Sequence, residues 1–240
     1  MAFRAAGRTD AGLVRKENQD NFLILAPQMV YAIADGMGGH AGGRQASVIA
    51  VETLRQELED DRAVDTAAVE NALAYANDRI LDEAKAKNWE GMGTTLVLAF
   101  YADGEWRVAN IGDSRAYVVN RNEIRAVTKD HSLVEEMVAR GTITREEARV
   151  HPHRNVLTRA LGVDADIGPE WSALKADKAD YLLLCSDGLY NMVTDESIRA
   201  IVLDLEMTLE EKAGRLVEEA NRHGGSDNIT VVLIAEEDGL

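Results

Sequence analysis

Three aspartates in this sequence each abut a strongly apolar run. They stand in Tyr31-Ala-Ile-Ala-Asp35-Gly36, in Leu183-Leu-Cys-Ser-Asp187-Gly188, and in Ser226-Asp227-Asn228 just ahead of residues 229–234. Runs of this kind read as buried strands, which cannot hold charges in their middles but can present them together at a sheet rim. Bare carboxylates brought close repel and raise one another's pKa unless a cation neutralises them. Asp-Gly is also a common turn signature, so each pair taken singly has a plainer reading. Three in one setting favour a shared ionic role. With a single cysteine, Cys185, and no His-x-x-x-His helix, zinc and copper are poor candidates. All-oxygen ligation favours Mg²⁺ or Mn²⁺, and the alternating acids of a calcium loop are missing. Two such cations bridged by a carboxylate would lower the pKa of a shared water and clamp both oxygens of an in-line phosphoryl displacement. No side-chain nucleophile is then required, and Cys185 reads as a buried strand residue.

The glycine-rich stretch Asp35-Gly-Met-Gly-Gly-His-Ala-Gly-Gly43 follows a strand and precedes a helix, and from Gly36 it matches G-x-G-x-x-A. A dinucleotide site of that form requires a second parallel strand within about 30 residues. The chain instead supplies two consecutive helical patterns reaching about residue 88, and an aspartate directly before the loop would repel a pyrophosphate. The better reading is that Gly36 lets its backbone approach a metal while the helix N-terminus faces an anionic substrate.

The elements that must position these groups follow from periodicity. Residues 3–8, 22–25 and 29–34 have strand character. Val48, Val51, Leu54 and Leu58, then Val69, Leu73, Ala76 and Ile80, mark two amphipathic helices separated by the acidic residues 57–61. Residues 94–101 and 106–111 flank the hairpin signal Asp103-Gly104, and 115–119 and 123–127 form another pair, so antiparallel sheet is expected. Residues 131–140 read as a helix ended by Gly141, and Thr144-x-x-Glu147 is a capping box. Residues 181–185 and 229–234 read as central strands, with helices over 195–203 and 209–221 between them, the second capped by Thr208 and Glu211. Helices in pairs and strands in antiparallel groups predict a layered α+β domain.

Composition narrows the partners. Of 240 residues, 42 are Asp or Glu and 26 are Lys or Arg, for a formal charge of −16. That balance argues against nucleic acid, whose affinity depends on neutralising phosphates, and against adhesion to an anionic membrane. No apolar run approaches the roughly 20 residues of a membrane span, and the first residues carry no apolar signal core, so a cytoplasmic protein is expected. One cysteine allows no intrachain disulfide. With no linker or low-complexity tract, residues 1–240 read as one domain.

Taken together, the motifs resemble the metal-dependent protein phosphatase family, the type 2C serine/threonine phosphatases, and in particular its compact bacterial members. The resemblance is carried by Arg15-Lys-Glu-Asn-Gln-Asp20, the 35–43 loop, Gly93-Thr-Thr95, Asn110-Ile-Gly-Asp-Ser-Arg115, Thr128-Lys-Asp-His131, Ser186-Asp-Gly188 and Ser226-Asp-Asn-Ile-Thr230, seven motifs in the family's order. It implies a four-layer sandwich of two antiparallel β-sheets flanked by pairs of helices. It also implies two core Mn²⁺ or Mg²⁺ ions, with Asp35 bridging, the Gly36 carbonyl on one, Asp187 and Asp227 on the other, and Asp20 beside the pair. Gln19 stands where some members carry Glu. Asp130 matches a position that, with Asp187, holds a third, weaker ion in bacterial relatives; it is also placed to cap the following helix.

Arg15 would bind the substrate phosphate bidentately. His40 could protonate the leaving oxygen or serve only to shape its loop. Residues 131–168 resemble the family's variable flap, where His131, His151, His153, Arg154 and Arg159 could meet acidic phosphopeptides or form a solvated face. Trp89, Trp106 and Trp171 read as packing residues. The implied activity is hydrolysis of phosphoserine and phosphothreonine in phosphorylated proteins, with a serine/threonine kinase and its targets as partners. The alternative is a non-catalytic phosphoprotein-binding module on the same fold; degenerate relatives would lose metal aspartates, and none is missing here.

Overall fold

The computed structural model describes residues 2–39, 41–59, 63–175 and 180–237. One sheet runs, in spatial order, β1 (Phe3–Asp10), β11 (Ile229–Glu236), β10 (Tyr181–Cys185), β7 (Arg115–Val119) and β8 (Ile124–Ala126). The other runs β2 (Asp20–Leu25), β3 (Val30–Met37), β5 (Leu96–Ala102), β6 (Glu105–Ile111) and β9 (Glu170–Leu174), with the two-residue β4 (Gly93–Thr94) paired to the end of β3. Every pairing is antiparallel. Helices α1 (Gly42–Leu58) and α2 (Thr66–Lys87) cover the second sheet; α5 (Asp187–Tyr190), α6 (Asp195–Val202) and α7 (Leu209–Arg222) cover the first. Two short helices, α3 (Leu133–Ala139) and α4 (Arg145–Arg149), lie in the 131–168 segment.

The period-2 geometry of strands sorts the apolar runs into three layers of core. Tyr31, Ile33, Val97 and Ala99 point between the sheets to meet Leu182, Leu184, Val232 and Ile234. Their alternates Ala32, Ala34, Leu96 and Leu98 face α1 and α2, while Leu183, Cys185, Val231 and Leu233 face α6 and α7. Strands buried on both faces therefore need no polar alternation, which is why β10 and β11 read as unbroken apolar runs. All four marker residues of α2 are buried as the spacing predicts, and in α1 Val51, Leu54 and Leu58 are buried together with Ala46, Ile49 and Ala50, while Val48 is half-buried. The capping boxes at Thr144–Glu147 and Thr208–Glu211 form. Trp106 fills the inter-sheet core; Trp89 and Trp171 pack against the second sheet's helix-side cluster.

Two features go beyond the sequence expectation. The consecutive hairpins β5–β6 and β7–β8 fall in different sheets, so residues 112–114 cross from one sheet to the other. β9 is an added edge strand, carrying Trp171; its half-exposed pattern has no strong period. Among the described residues no helix is long and apolar enough to cross a membrane.

Registers bring five chain segments to one rim of the sandwich. Asp20 pairs directly with Asp35 across β2–β3, and Cys185, ahead of Asp187, pairs with both Val231 and Arg115. The N-terminal end of β2, the C-terminal end of β3, the β6–β7 crossing, the C-terminal end of β10 and the N-terminal end of β11 thus meet at one place.

Candidate metal centre

Asp20 is almost fully buried at 4% exposure, whereas Asp35, Asp113, Asp187 and Asp227 each stay partly open. Ser186 spans the sheets to reach Asp20: its Oγ donates to Asp20 Oδ2 at 2.7 Å and accepts from the Thr230 amide at 3.0 Å. The other carboxylate oxygen of Asp20, Oδ1, is buried with no hydrogen-bond partner. Asp35 is fixed by its neighbours' backbone and hydroxyls. Its amide donates to Thr95 Oγ1 (3.1 Å), and its carbonyl accepts from the Thr95 amide and from Thr94 Oγ1, both at 2.8 Å.

The two Asp-Gly pairs are not turns. Gly36 continues β3, and a Cβ there would lie 2.1 Å from the Gly43 carbonyl oxygen, so glycine lets the first turn of α1 press on the strand. Gly188 lies inside α5, and its Cβ would sit 1.9 Å from the Asn228 carbonyl oxygen. That contact sets Asp187 beside the Asp227–Asn228 backbone. Among the described Asp-Gly pairs, Asp103-Gly104 is the one that forms a hairpin turn, with both residues at positive φ (54° and 82°).

Asn228 ties down the segment that carries Arg15. Its Nδ2 donates to the carbonyls of Ala11 (3.0 Å) and Glu17 (2.9 Å), and its Oδ1 accepts from the Gln19 amide (2.8 Å). Arg15 Nη2 then donates to Asp227 Oδ2 at 2.7 Å. The bond and charge of Asp227 raise the Arg15 pKa, with Asp187 and Asp35 adding to it, so the guanidinium faces the whole cluster. Asp227 Oδ1 accepts from the Asn228 amide and Asp187 Oδ2 from Asn191 Nδ2.

Electrostatics mark this rim as strained. Burial, then the neighbouring carboxylates, hold Asp35 and Asp187 well above the usual carboxylate range. Burial also lifts Asp20 to about 6, and burial with the charge of Asp130 lifts Asp113 to about 7. Among the described residues no three carboxylate, imidazole or thiol groups close into an ion cage. The carboxylates nevertheless lie close enough to raise one another's pKa. The donor chemistry fits hard divalent cations: oxygen donors only, a buried orphan oxygen on Asp20, and repulsion that a cation would relieve. Cys185 has the opposite setting, since burial pushes its thiol up and keeps it protonated.

Of the residues singled out from sequence, Asp20, Asp35, Gly36, Asp187, Asp227 and Arg15 come together. His40 lies outside the described residues. Asp130 is not free to face them: it sits beside Asp113, whose pKa its charge raises, and both its oxygens are taken by Arg115, with Nε donating at 2.8 Å and Nη2 at 2.7 Å. Nor does it cap α3, which Ser132 caps instead. The carboxylate that faces Asp187 and Asp35 is Asp113, two residues before that arginine. Sequence reasoning quoted its motif without assigning it a role. The available signal was its position between two strand runs, an acid at a strand end like the other three.

The flap histidines divide. His131 is buried, its Nδ1 accepting from the Gly112 amide (3.2 Å) and its Nε2 paired with Glu170 (3.1 Å), and burial lowers its pKa. His151 and His153 lie toward the surface with ring centroids 5.6 Å apart, Arg154 is exposed, and Arg159 donates to the Gly168 carbonyl.

Known proteins resemble this chain in sequence and fold. The family described as protein phosphatase 2C matches residues 14–221. The serine/threonine phosphatase stp of Listeria innocua is 40% identical over 236 residues, which span 95% of this chain and 93% of that protein. The serine/threonine protein phosphatase PstP of Mycobacterium tuberculosis is 39% identical over 97% of this chain, a stretch that makes up 45% of the longer protein. A solved structure of the catalytic domain of PstP in complex with two manganese ions superposes with a TM-score of 0.87, at 37% identity over 98% of both chains. The S. agalactiae serine/threonine phosphatase superposes at 0.92, with 33% identity over 98% of this chain and all of that one. A match over most of the length, carried on the same sandwich, places this chain in the protein phosphatase 2C family.

Proposed function

We propose that this chain is a metal-dependent protein serine/threonine phosphatase that hydrolyses phosphoserine and phosphothreonine in proteins, reversing a serine/threonine kinase. One observation carries the reading: four partly open carboxylates and a guanidinium converge on one rim above the buried Asp20. Similarity to the named serine/threonine phosphatases supports it.

Asp35, Asp187, Asp227 and the Gly36 carbonyl would hold two Mn²⁺ or Mg²⁺ ions, with Asp20 beneath them. Asp113, in place of Asp130, would complete a weaker third position with Asp187. When bound, such ions lower the pKa of water to near neutrality and stabilise charge on a transferring phosphoryl group. Arg15 exchanges Asp227 for the substrate phosphate, which its planar fork matches bidentately. Asn228 holds the Arg15 segment in register for that exchange. Ser186 and the Thr94–Thr95 pair keep Asp20 and Asp35 oriented. Hydrolysis joins a water oxygen to phosphorus and breaks the bond to the serine or threonine oxygen, which departs with a proton. Residues 1–240 form one catalytic domain in this reading, with 131–168 as its flap.

The test is phosphate release from a phosphothreonine peptide, with Mn²⁺ and then with excess EDTA. Release abolished by the chelator is expected. Peptide binding without release at any Mn²⁺ concentration would turn the reading to a non-catalytic phosphoprotein-binding module.

A further inference from the structure

The three residues of the loop that crosses between the sheets, and Arg115 at the start of β7, are each held by side chains from distant parts of the chain. Gly112 is clasped by His131, whose Nδ1 accepts from the Gly112 amide and whose amide donates to the Gly112 carbonyl at 2.9 Å. The Asp113 carbonyl accepts from the Tyr190 hydroxyl at 3.0 Å. Ser114 Oγ bonds Thr95 Oγ1 at 2.7 Å, and Thr95 in turn holds the Asp35 amide. Arg115 takes both oxygens of Asp130, donates from Nη1 to the Tyr117 hydroxyl at 2.9 Å, and stacks its guanidinium carbon 3.6 Å from the Tyr190 ring centroid.

Tyr190 is the last residue of α5, and Asp187 is the first. One cation therefore touches the root of the flap through Asp130 and the helix of Asp187 through Tyr190. The same tyrosine reaches back to the backbone of Asp113. We propose that Arg115, acting with Tyr190, is a positioning residue of the metal centre: it sets Asp113 and Asp187 in fixed relation and locks the flap root to both. The assignment rests on the metal centre described above. Only a planar guanidinium can engage a carboxylate with two parallel bonds while stacking face-on against a ring, so lysine cannot replace it. Tyr190 divides its work between ring and hydroxyl. Phenylalanine would keep the stack and lose only the bond to Asp113.

The test measures Mn²⁺ binding by calorimetry on the full chain, for the wild type, Tyr190→Phe and Arg115→Lys. Thermal midpoints in EDTA and steady-state kinetics on a phosphothreonine peptide accompany it. Tyr190→Phe should weaken the weakest Mn²⁺ step by about 10-fold, the low end for residues that orient metal ligands. Its kcat should fall at unchanged peptide KM, and its metal-free midpoint should stay near wild type. Arg115→Lys should lose more affinity and also raise KM, because the flap root is released. If Arg115→Lys does not fold, Tyr190→Phe carries the test, since its ion pair and ring stack remain. Wild-type affinity in Tyr190→Phe would overturn the assignment alone. An unsubstituted chain that binds no Mn²⁺ would overturn the metal centre, and this assignment with it.

Discussion

If the rim is a cluster of mutually repelling carboxylates, removing one should make the metal-free protein more stable. Asp113→Asn is the cleanest case, because it preserves shape and leaves the carbonyl bond to Tyr190 intact. Burial, with the charge of Asp130, lifts the Asp113 pKa from 3.8 to about 7. At 1.36 kcal/mol per pH unit, that rise corresponds to about 4 kcal/mol of destabilisation once the group is ionised in both states. Partial exposure and coupling to its neighbours bring the expected effect to about 2 kcal/mol. For a chain of this size that is roughly 4–8 °C. The sign follows from the direction of the shift: an acid raised in the folded state contributes its stability at low pH and loses it as pH climbs from about 4 through about 7. Calorimetric melting in EDTA should therefore show Asp113→Asn above wild type at pH 8, with the gap closing toward pH 4. With saturating Mn²⁺ the gap should narrow or invert, since wild type gains a ligand that the variant lacks. A variant no more stable than wild type at pH 8, or a gap independent of pH, would refute the repulsive cluster.

Other perturbations separate the roles at the rim. Asp187→Ala should keep its circular dichroism spectrum and lose about 10³-fold or more in turnover, because it removes a carboxylate proposed to hold the cations that stabilise the transition state's negative charge; a near-wild-type rate would sink the two-metal assignment. Arg15 is 54% exposed on its side chain, so its ion pair with Asp227 adds only about 0–1 kcal/mol. Arg15→Ala should leave the melting midpoint within about 3 °C while raising the KM for a phosphopeptide roughly 10–100-fold, the worth of a charged hydrogen-bond pair. Gly188→Ala drives a Cβ to 1.9 Å from the Asn228 carbonyl oxygen. It should cost about 1–3 kcal/mol, seen in a denaturant melt, and weaken Mn²⁺ binding by moving Asp187 away from Asp227.

The repeating chemistry along the chain was legible without the fold. Three aspartates of the rim, Asp35, Asp187 and Asp227, are legible because each sits where an apolar run meets polar residues, and a strand's interior excludes charge; Asp20 entered only through the family resemblance. The helix pairs and the β5–β6 hairpin were equally plain, since burial on one face imposes its period on the residues. Edge strand β9 was not, because it is half-exposed and short, so its residues obey no strong period. The Asp-Gly pairs carried a misleading local signal. Their glycines answer to backbones that arrive from elsewhere, Gly43 for Gly36 and Asn228 for Gly188.

What the sequence determined by itself was the oxygen-only character of the donors, the sort of cation they suit and the layered α+β class, because these depend on residue type and on periods local to the chain. Which acids share a site was decided only in three dimensions. Asp113 and Asp130 lie 17 positions apart, flank the same arginine in space, and look equally eligible as written. The tertiary structure gives Asp130 both bonds of Arg115 and turns Asp113 toward Asp187. A guanidinium can satisfy one carboxylate completely, and the choice between the two depends on where β7 and the flap root meet. That meeting is set by a crossing between sheets, which no local spacing encodes.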